Sequence, residues 1–169
     1  MSALPAYAIL GVVVLQRGVE LIYASHNAKT LKSQGGVEYG RTHYRVMVLL
    51  HASWLVVIAL RIPHDPAIRW LPSLVFVVLQ ALRIWVIVSL GPFWTTRIIT
   101  VPDAPLVRRG PYRYLRHPNY LVVAGEIAAL PLVFGQRTVA LVFSLLNLVV
   151  LAWRIRTENA ALASRRSLV

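Results

Sequence analysis

Residues 106–126, Leu-Val-Arg-Arg-Gly-Pro-Tyr-Arg-Tyr-Leu-Arg-His-Pro-Asn-Tyr-Leu-Val-Val-Ala-Gly-Glu, put Arg108, Arg109, Arg113 and Arg116, three tyrosines, one histidine and two prolines at the mouth of an apolar run. Hydrocarbon tolerates few such groups without a partner or a task. His117-Pro118 reads as a helix start, because proline is favoured at the first helical position, where its missing N–H is no loss. The free backbone N–H groups of such a terminus, backed by Arg116, suit a carboxylate or a phosphate. Further on, Arg154 and Glu158 stand four apart and share a helical face. A pocket joining that terminus to the Glu158 carboxylate, bordered by Tyr112, Tyr114 and Tyr120, suits a zwitterionic, adenosine-like ligand. The terminus takes a carboxylate, the glutamate takes ribose hydroxyls, and aromatic faces take a cation or a base. Simple anchoring of the arginines to anionic headgroups leaves Gly-Pro-Tyr and His-Pro-Asn-Tyr unexplained.

The elements that must position these groups are membrane spans. The chain of 169 residues is 57% hydrophobic and only 14% charged, and its apolar residues come in long blocks, the composition of an integral membrane protein. The net charge of +12 gathers in short gaps between apolar segments, which reads as topology and headgroup contact, with no nucleic acid. The absence of cysteine excludes disulfides, thiolate nucleophiles, thiolate metal sites and palmitoylation. The five histidines have no ligand spacing, so no metal is expected. No G-x-G-x-x-G, P-loop or serine elbow is present.

Five apolar blocks follow in order. Residues 4–24 predict a first span, which lacks a basic leader and a small-residue cleavage site and is expected to be retained. Ser25 to Tyr44 is polar, with the turn pair Gly35-Gly36, and reads as a loop or surface helix. Spans over 44–61 and 71–90 flank a turn with Pro63 and Pro66. Gly91 to Arg116 is the longest connection, broken by Pro92, Pro102, Pro105 and Pro111. Spans over 118–134 and 138–153 are joined by Gly135-Gln136-Arg137, which forces an antiparallel hairpin. The last helix is expected to continue past Arg154 to Leu162. The hairpin brings Glu158 to the same end as His117, although 41 positions separate them. The expected architecture is thus all-α and polytopic, with about five transmembrane helices and a cytosolic cofactor pocket near the carboxyl terminus.

Polar residues inside the spans need partners. Arg17 and Glu20 lie three apart and can neutralise each other. His51 reads as a hydrogen-bonded packing residue. Gln80 and Arg83 share a face, and an arginine well inside a span costs about 2.5–3.5 kcal/mol on insertion scales. Arg83 therefore faces either a polar cavity or an ion-pair partner such as Glu126 or Glu20. Basic residues set the orientation: the first and third loops and the tail hold thirteen, against Arg61, Arg69 and Arg137 on the other side. The positive-inside rule then puts the amino terminus out and the carboxyl terminus in the cytosol.

Leu106-Val107 followed by Gly110-Pro111-Tyr112, then Arg116-His117-Pro118-Asn119-Tyr120, then Arg154-Ile-Arg-Thr-Glu158 up to Leu162, resembles the isoprenylcysteine carboxyl methyltransferase family of integral membrane enzymes. The resemblance covers the carboxyl-terminal half from Leu90-Gly91 onward. It implies one methyltransferase domain over 1–169, with three amino-terminal spans in 1–90 and the cofactor-binding half in 91–169. It also implies S-adenosylmethionine as cofactor, held by Tyr112, Arg116, His117, Pro118, Tyr120, Arg154 and Glu158, with a lipid-side tunnel for the substrate. Two departures stand out: Asn159 replaces a second acid often found after Glu158, and Leu-Val-Val replaces a glycine-containing stretch after Tyr120. Gly35-Gly36-Val37-Glu38-Tyr39-Gly40 and Arg97-Ile98-Ile99 are similar to a small bacterial branch. That branch is associated with type III polyketide synthases, and its members methylate a hydroxyl on long-chain alkylpyrones or alkylresorcinols.

On this reading the reaction is in-line transfer of a methyl group from a sulfonium to an oxygen of an amphiphile whose tail lies in the bilayer. The donor is already activated, so the protein mainly aligns the partners and excludes water. An enolic pyrone hydroxyl or a carboxylate is largely ionised at neutral pH, and Arg97 or Arg83 would hold the oxyanion. A phenol needs a proton acceptor, for which Glu126 or His117 is available. Glu126 follows Asn119 by seven residues, about two turns deeper on the same face. The competing readings are an isoprenylcysteine-type carboxyl methyltransferase, an NADPH-dependent membrane reductase of the related sterol reductase class, and a small transporter or scaffold.

Overall fold

The computed structural model describes residues 3–102, 104 and 106–163. Five helices carry the fold: α1 Leu4–Ser33, α2 Arg41–Leu60, α3 Trp70–Leu90, α4 Pro118–Val133 and α5 Arg137–Ala161. Two short strands, β1 Val37–Tyr39 and β2 Ile98–Thr100, pair antiparallel with Glu38 opposite Ile99. The protein is an all-α polytopic membrane protein, with four helices long and apolar enough to cross a bilayer and α4 as a shorter apolar fifth. Large side chains such as Leu15, Ile22, Leu49, Val77, Val88 and Val149 stand exposed on the outer helix faces. Such a surface suits hydrocarbon, where burying leucine against leucine brings no hydrophobic gain.

The fourth helix explains its own shortness. It packs between α3 and α5, and α5 in turn packs on α2. With 16 residues it rises about 24 Å, less than the hydrocarbon thickness, but neighbouring helices cover most of it. Gly125 permits the close approach to α3, since a Cβ there would lie 2.9 Å from the Leu79 methyls. One apolar core, including Leu10, Trp54, Ile58, Phe76, Leu130 and Phe143, fills the end away from the strands. There the turn after α4 is tied down, with Gln136 Nε2 donating to the Ile58 carbonyl at 3.0 Å and the Arg69 N–H donating to that of Val133 at 2.9 Å.

The first helix is longer than its apolar block. The block predicted over 4–24 continues without a break to Ser33, so the polar stretch beginning at Ser25 is helical for its first nine residues. Thirty residues rise about 45 Å, and the extra turns carry Lys29 and Lys32 beyond the hydrocarbon. Gly35, with φ at 83°, ends the helix, and the Gly36 N–H caps the Leu31 carbonyl at 2.9 Å. The strand pair departs from the all-helical expectation: three-residue strands leave no alternation to read, and their pairing is tertiary. The other helix bounds follow the apolar blocks within three residues, and α5 does continue past Arg154. Arg165 and Arg166, counted with the basic tail, lie outside the described residues.

Candidate functional site

Three segments converge at the strand end of the bundle: the 91–117 connection, the start of α4 and the last turns of α5. They enclose a cavity of about 450 Å³, within the range of small-molecule sites. Arg97, Tyr112, Arg116, His117, Tyr120, Arg154 and Glu158 all line it. Pro118, buried at the first position of α4, shapes the wall without being part of the lining. Trp94, Leu106, Val107, Arg108 and Asn119 complete much of the surface.

The start of α4 is open. His117 precedes the helix and places no side-chain cap on its first N–H groups. The antiparallel return of α5 sets Glu158 Oε2 3.9 Å from His117 Nδ1. Arg154 Nε donates to the Tyr120 hydroxyl at 3.0 Å, and that hydroxyl donates to Glu158. The relay fixes one carboxylate oxygen while Glu158 stays a quarter exposed. The His117 ring stacks on Tyr120 with centroids 5.3 Å apart. Its Nε2 lies 3.3 Å from Asn159 Oδ1, so the residue standing in place of a second acid is a partner of the histidine and is not itself part of the cavity lining. Burial, with the negative charge of Glu158 nearby, pushes the Tyr112 hydroxyl well above its ordinary range. Tyr112 is therefore a neutral wall at any physiological pH.

Arg97 enters from beside β2. Its Nη1 donates to Glu38 Oε1 at 2.6 Å, and its guanidinium lies 4.6 Å from the Tyr44 ring centroid. That hydrogen bond raises the Arg97 guanidinium further above its already high range. Burial works to raise the Glu38 carboxyl, but hydrogen bonds from Lys32 and Arg97 outweigh it and hold the group below its ordinary value. Arg97 is a permanent cation held on one side of the cavity.

Arg83 and Glu126 lie elsewhere. Neither lines the cavity; both belong to a closed network deep among α1, α3 and α4. Arg83 donates to Glu20 at 2.7 and 2.5 Å and to Glu126 at 3.0 Å. Arg17 pairs with Glu20 and with Glu126, each at 2.9 Å. Gln80 donates to Glu126 at 2.8 Å and accepts from Gln16 at the same distance. Two cations meet two anions, so the cluster is neutral, as a bilayer interior demands. It approaches the cavity at Trp94, whose ring centroid lies 5.9 Å from the Arg83 guanidinium. The alternative of an ion pair for Arg83 with Glu126 or Glu20 is realised with both.

Two further residues belong to the site. Asn119, in sequence only a letter of the motif, lines the cavity, and its buried Oδ1 has no hydrogen-bond partner among the described residues. Glu38, in sequence only a letter of the Gly35–Gly40 motif, fixes Arg97; its signal is scarcity, since the chain has only six acids.

Residues 71–164 match the isoprenylcysteine carboxyl methyltransferase (ICMT) family. An uncharacterized protein of Bacillus subtilis (strain 168), YpbQ, is 35% identical over 160 residues, covering 92% of this chain and 95% of that one. The chain belongs to the ICMT family. As an ICMT-family protein with several apolar helices it is a multi-pass membrane methyltransferase. An uncharacterized protein of Haemophilus influenzae is 25% identical over 154 residues, covering 87% of this chain and 88% of that one. No solved structure matches the chain. The ICMT match spans α3 to the end of α5, so it contains the cavity's His117–Tyr120 wall and its Glu158.

Proposed function

We propose that the chain transfers a methyl group from S-adenosylmethionine to an oxygen of a lipophilic acceptor drawn from the bilayer, and that this acceptor is a long-chain alkylpyrone or alkylresorcinol made by a type III polyketide synthase. The observation that carries the cofactor half is the convergence of an uncapped helix start with Glu158 and Arg154 on one cavity of about 450 Å³. The Asn119 N–H at the start of α4, with Arg116, would take the carboxylate of S-adenosylmethionine, since Pro118 has no N–H and that of Tyr120 donates to the His117 carbonyl at 3.1 Å. The free oxygen of Glu158 would take ribose hydroxyls, and the unpartnered Asn119 Oδ1 offers an acceptor to an ammonium or amine. Bound there, the cofactor supplies an activated methyl group.

The chain's own work is then alignment and exclusion of water. Trp94, Leu106 and Val107 form apolar wall. Arg97, fixed by Glu38, would hold the acceptor oxyanion, while Arg83 and Glu126 would support the Trp94 wall from behind. The basic loops sit at the cavity end, so the positive-inside rule puts this end in the cytosol and the amino terminus outside. A carboxylate acceptor on an isoprenylcysteine is a second reading, favoured by the ICMT match; Arg97 serves a carboxylate equally well.

The test is purified protein in lipid with labelled S-adenosylmethionine and a panel of alkylpyrones, alkylresorcinols and farnesylcysteine analogues. Glu158→Gln weakens charge-assisted hydrogen bonds of about 1.5–3 kcal/mol, so the Kd for S-adenosylmethionine rises roughly 10- to 150-fold. Saturable NADPH binding with none of S-adenosylmethionine overturns the proposal.

A further inference from the structure

A second concavity lies on the outer side of Arg97. It is a groove of about 360 Å³ between the last turns of α1 and the start of α2, with Tyr44, Thr96 and Arg97 on its far wall. Its α1 wall is a single stripe: Leu21, Ala24, Ser25, Ala28, Lys29 and Lys32, at the three- and four-residue spacing of one helix face. Eleven residues of rise set the ends of this stripe about 16 Å apart. Polarity changes steadily along it, from exposed Leu21 at the bilayer side, past the small buried Ala24 and Ala28, to the two lysines. The two alanines leave the volume that larger side chains would fill.

The charges there do not cancel. Lys32 and Arg97 share the single carboxylate of Glu38, and Arg41 also lies 3.9 Å from it. Lys29 has no ion-pair partner among the described residues. An apolar floor ending in surplus cations matches a molecule with a hydrocarbon tail and an oxyanion head, which gains from both ends at once.

We propose that this groove binds the anionic head group of a bilayer amphiphile, with Lys29 as the principal free cation, Ser25 and Thr96 as hydroxyl donors, and Arg97 as the wall shared with the cavity. Two sources have this chemistry: a resident anionic phospholipid, or an ionised acceptor waiting beside the cavity. The acceptor source rests on the methyltransferase reading; lipid binding does not.

The experiment uses the full chain in nanodiscs of phosphatidylglycerol and phosphatidylcholine. Retained lipid is measured by native mass spectrometry, and acceptor KM and S-adenosylmethionine Kd are measured in parallel. Lys29 is exposed and outside the cavity lining, so Lys29→Ala and Lys29→Glu should fold. About 1 kcal/mol per basic residue near a surface corresponds to about fivefold, and charge reversal to about the square of that. Selective phosphatidylglycerol retention that falls by these factors, with acceptor KM unchanged, identifies a resident lipid. A KM that rises by these factors, with cofactor Kd unchanged, identifies the acceptor. Equal retention of both lipids by wild type and K29E, with KM also unmoved, overturns the proposal. If wild type fails to bind S-adenosylmethionine while K29E still loses phosphatidylglycerol, the methyltransferase reading fails and the groove stands.

Discussion

Arg83 is the residue on which two accounts of this molecule part most sharply. As the holder of an acceptor oxyanion it would matter for turnover; as the hub of the buried network it matters for folding. Arg83→Met keeps an unbranched apolar stem and removes three hydrogen bonds to Glu20 and Glu126. Arg17 then serves both carboxylates alone, so one negative charge is left uncompensated among α1, α3 and α4. Breaking a buried pair by removing one partner costs about 3–5 kcal/mol, which at this chain length lowers Tm by roughly 6–20 °C. The change is measurable by thermal unfolding in a mild detergent. Adding Glu126→Gln restores neutrality and keeps the Gln80 contact, so the double variant should recover about 1–3 kcal/mol, a coupling typical of directly interacting groups. Folded R83M should bind S-adenosylmethionine with wild-type Kd, because Arg83 does not line the cavity. An unchanged Tm combined with loss of methyl transfer by orders of magnitude refutes this reasoning and returns Arg83 to the reacting oxygen.

Three further outcomes are expected. Gly110 has φ at 57°, and a Cβ there would lie 2.0 Å from Ser89 Oγ; Gly110→Ala should therefore lower Tm and, by displacing Tyr112, weaken cofactor binding by at least tenfold in calorimetry. The Glu38 carboxyl lies below its ordinary value of 4.5, so its contribution is complete above that value and is lost as pH falls through the lowered one. Limited proteolysis of the 34–40 loop should accelerate only on that acid limb, and Glu38→Gln should abolish the pH dependence. Tyr112 is raised above its ordinary 10.0 and stays protonated there, so Tyr112→Phe should leave the tyrosinate absorbance titration around pH 10 unchanged.

The helices were legible because long apolar blocks have few alternatives in lipid, and the Gly135-Gln136-Arg137 turn left only a hairpin for the last two. That hairpin also made the meeting of Glu158 with His117 readable across 41 positions. What the blocks could not convey was where a helix stops once it leaves hydrocarbon. Lys29 and Lys32 end the apolar signal of α1 but not its backbone hydrogen bonding, and they continue the helix to Ser33. The β1–β2 pair is illegible for a different reason: Val37–Tyr39 and Ile98–Thr100 are each too short for a period, and their register is set by contacts about 60 residues away. Arg83 was ambiguous because an intramembrane arginine signals only that a partner exists, and its partners lie on two other helices.

Those partners point to a common device. In a chain with 18 basic and six acidic residues, cations are abundant and almost any arginine can find solvent or a headgroup, whereas each carboxylate is scarce. Four glutamates among the described residues join separate elements: Glu20 ties α1 to α3, Glu126 ties α4 to α1 and α3, Glu38 ties β1 to α1 and to Arg97, and Glu158 ties α5 to α4. Removing one arginine from such a set leaves a carboxylate that other donors partly satisfy, whereas removing one carboxylate releases two or three donors at once. Neutral glutamine scans of these four acids should therefore separate framework from chemistry more cleanly than arginine scans, with Glu20 and Glu126 moving Tm at constant cofactor Kd, and Glu158, which ties α5 to α4 and also lines the cavity, moving the Kd as well.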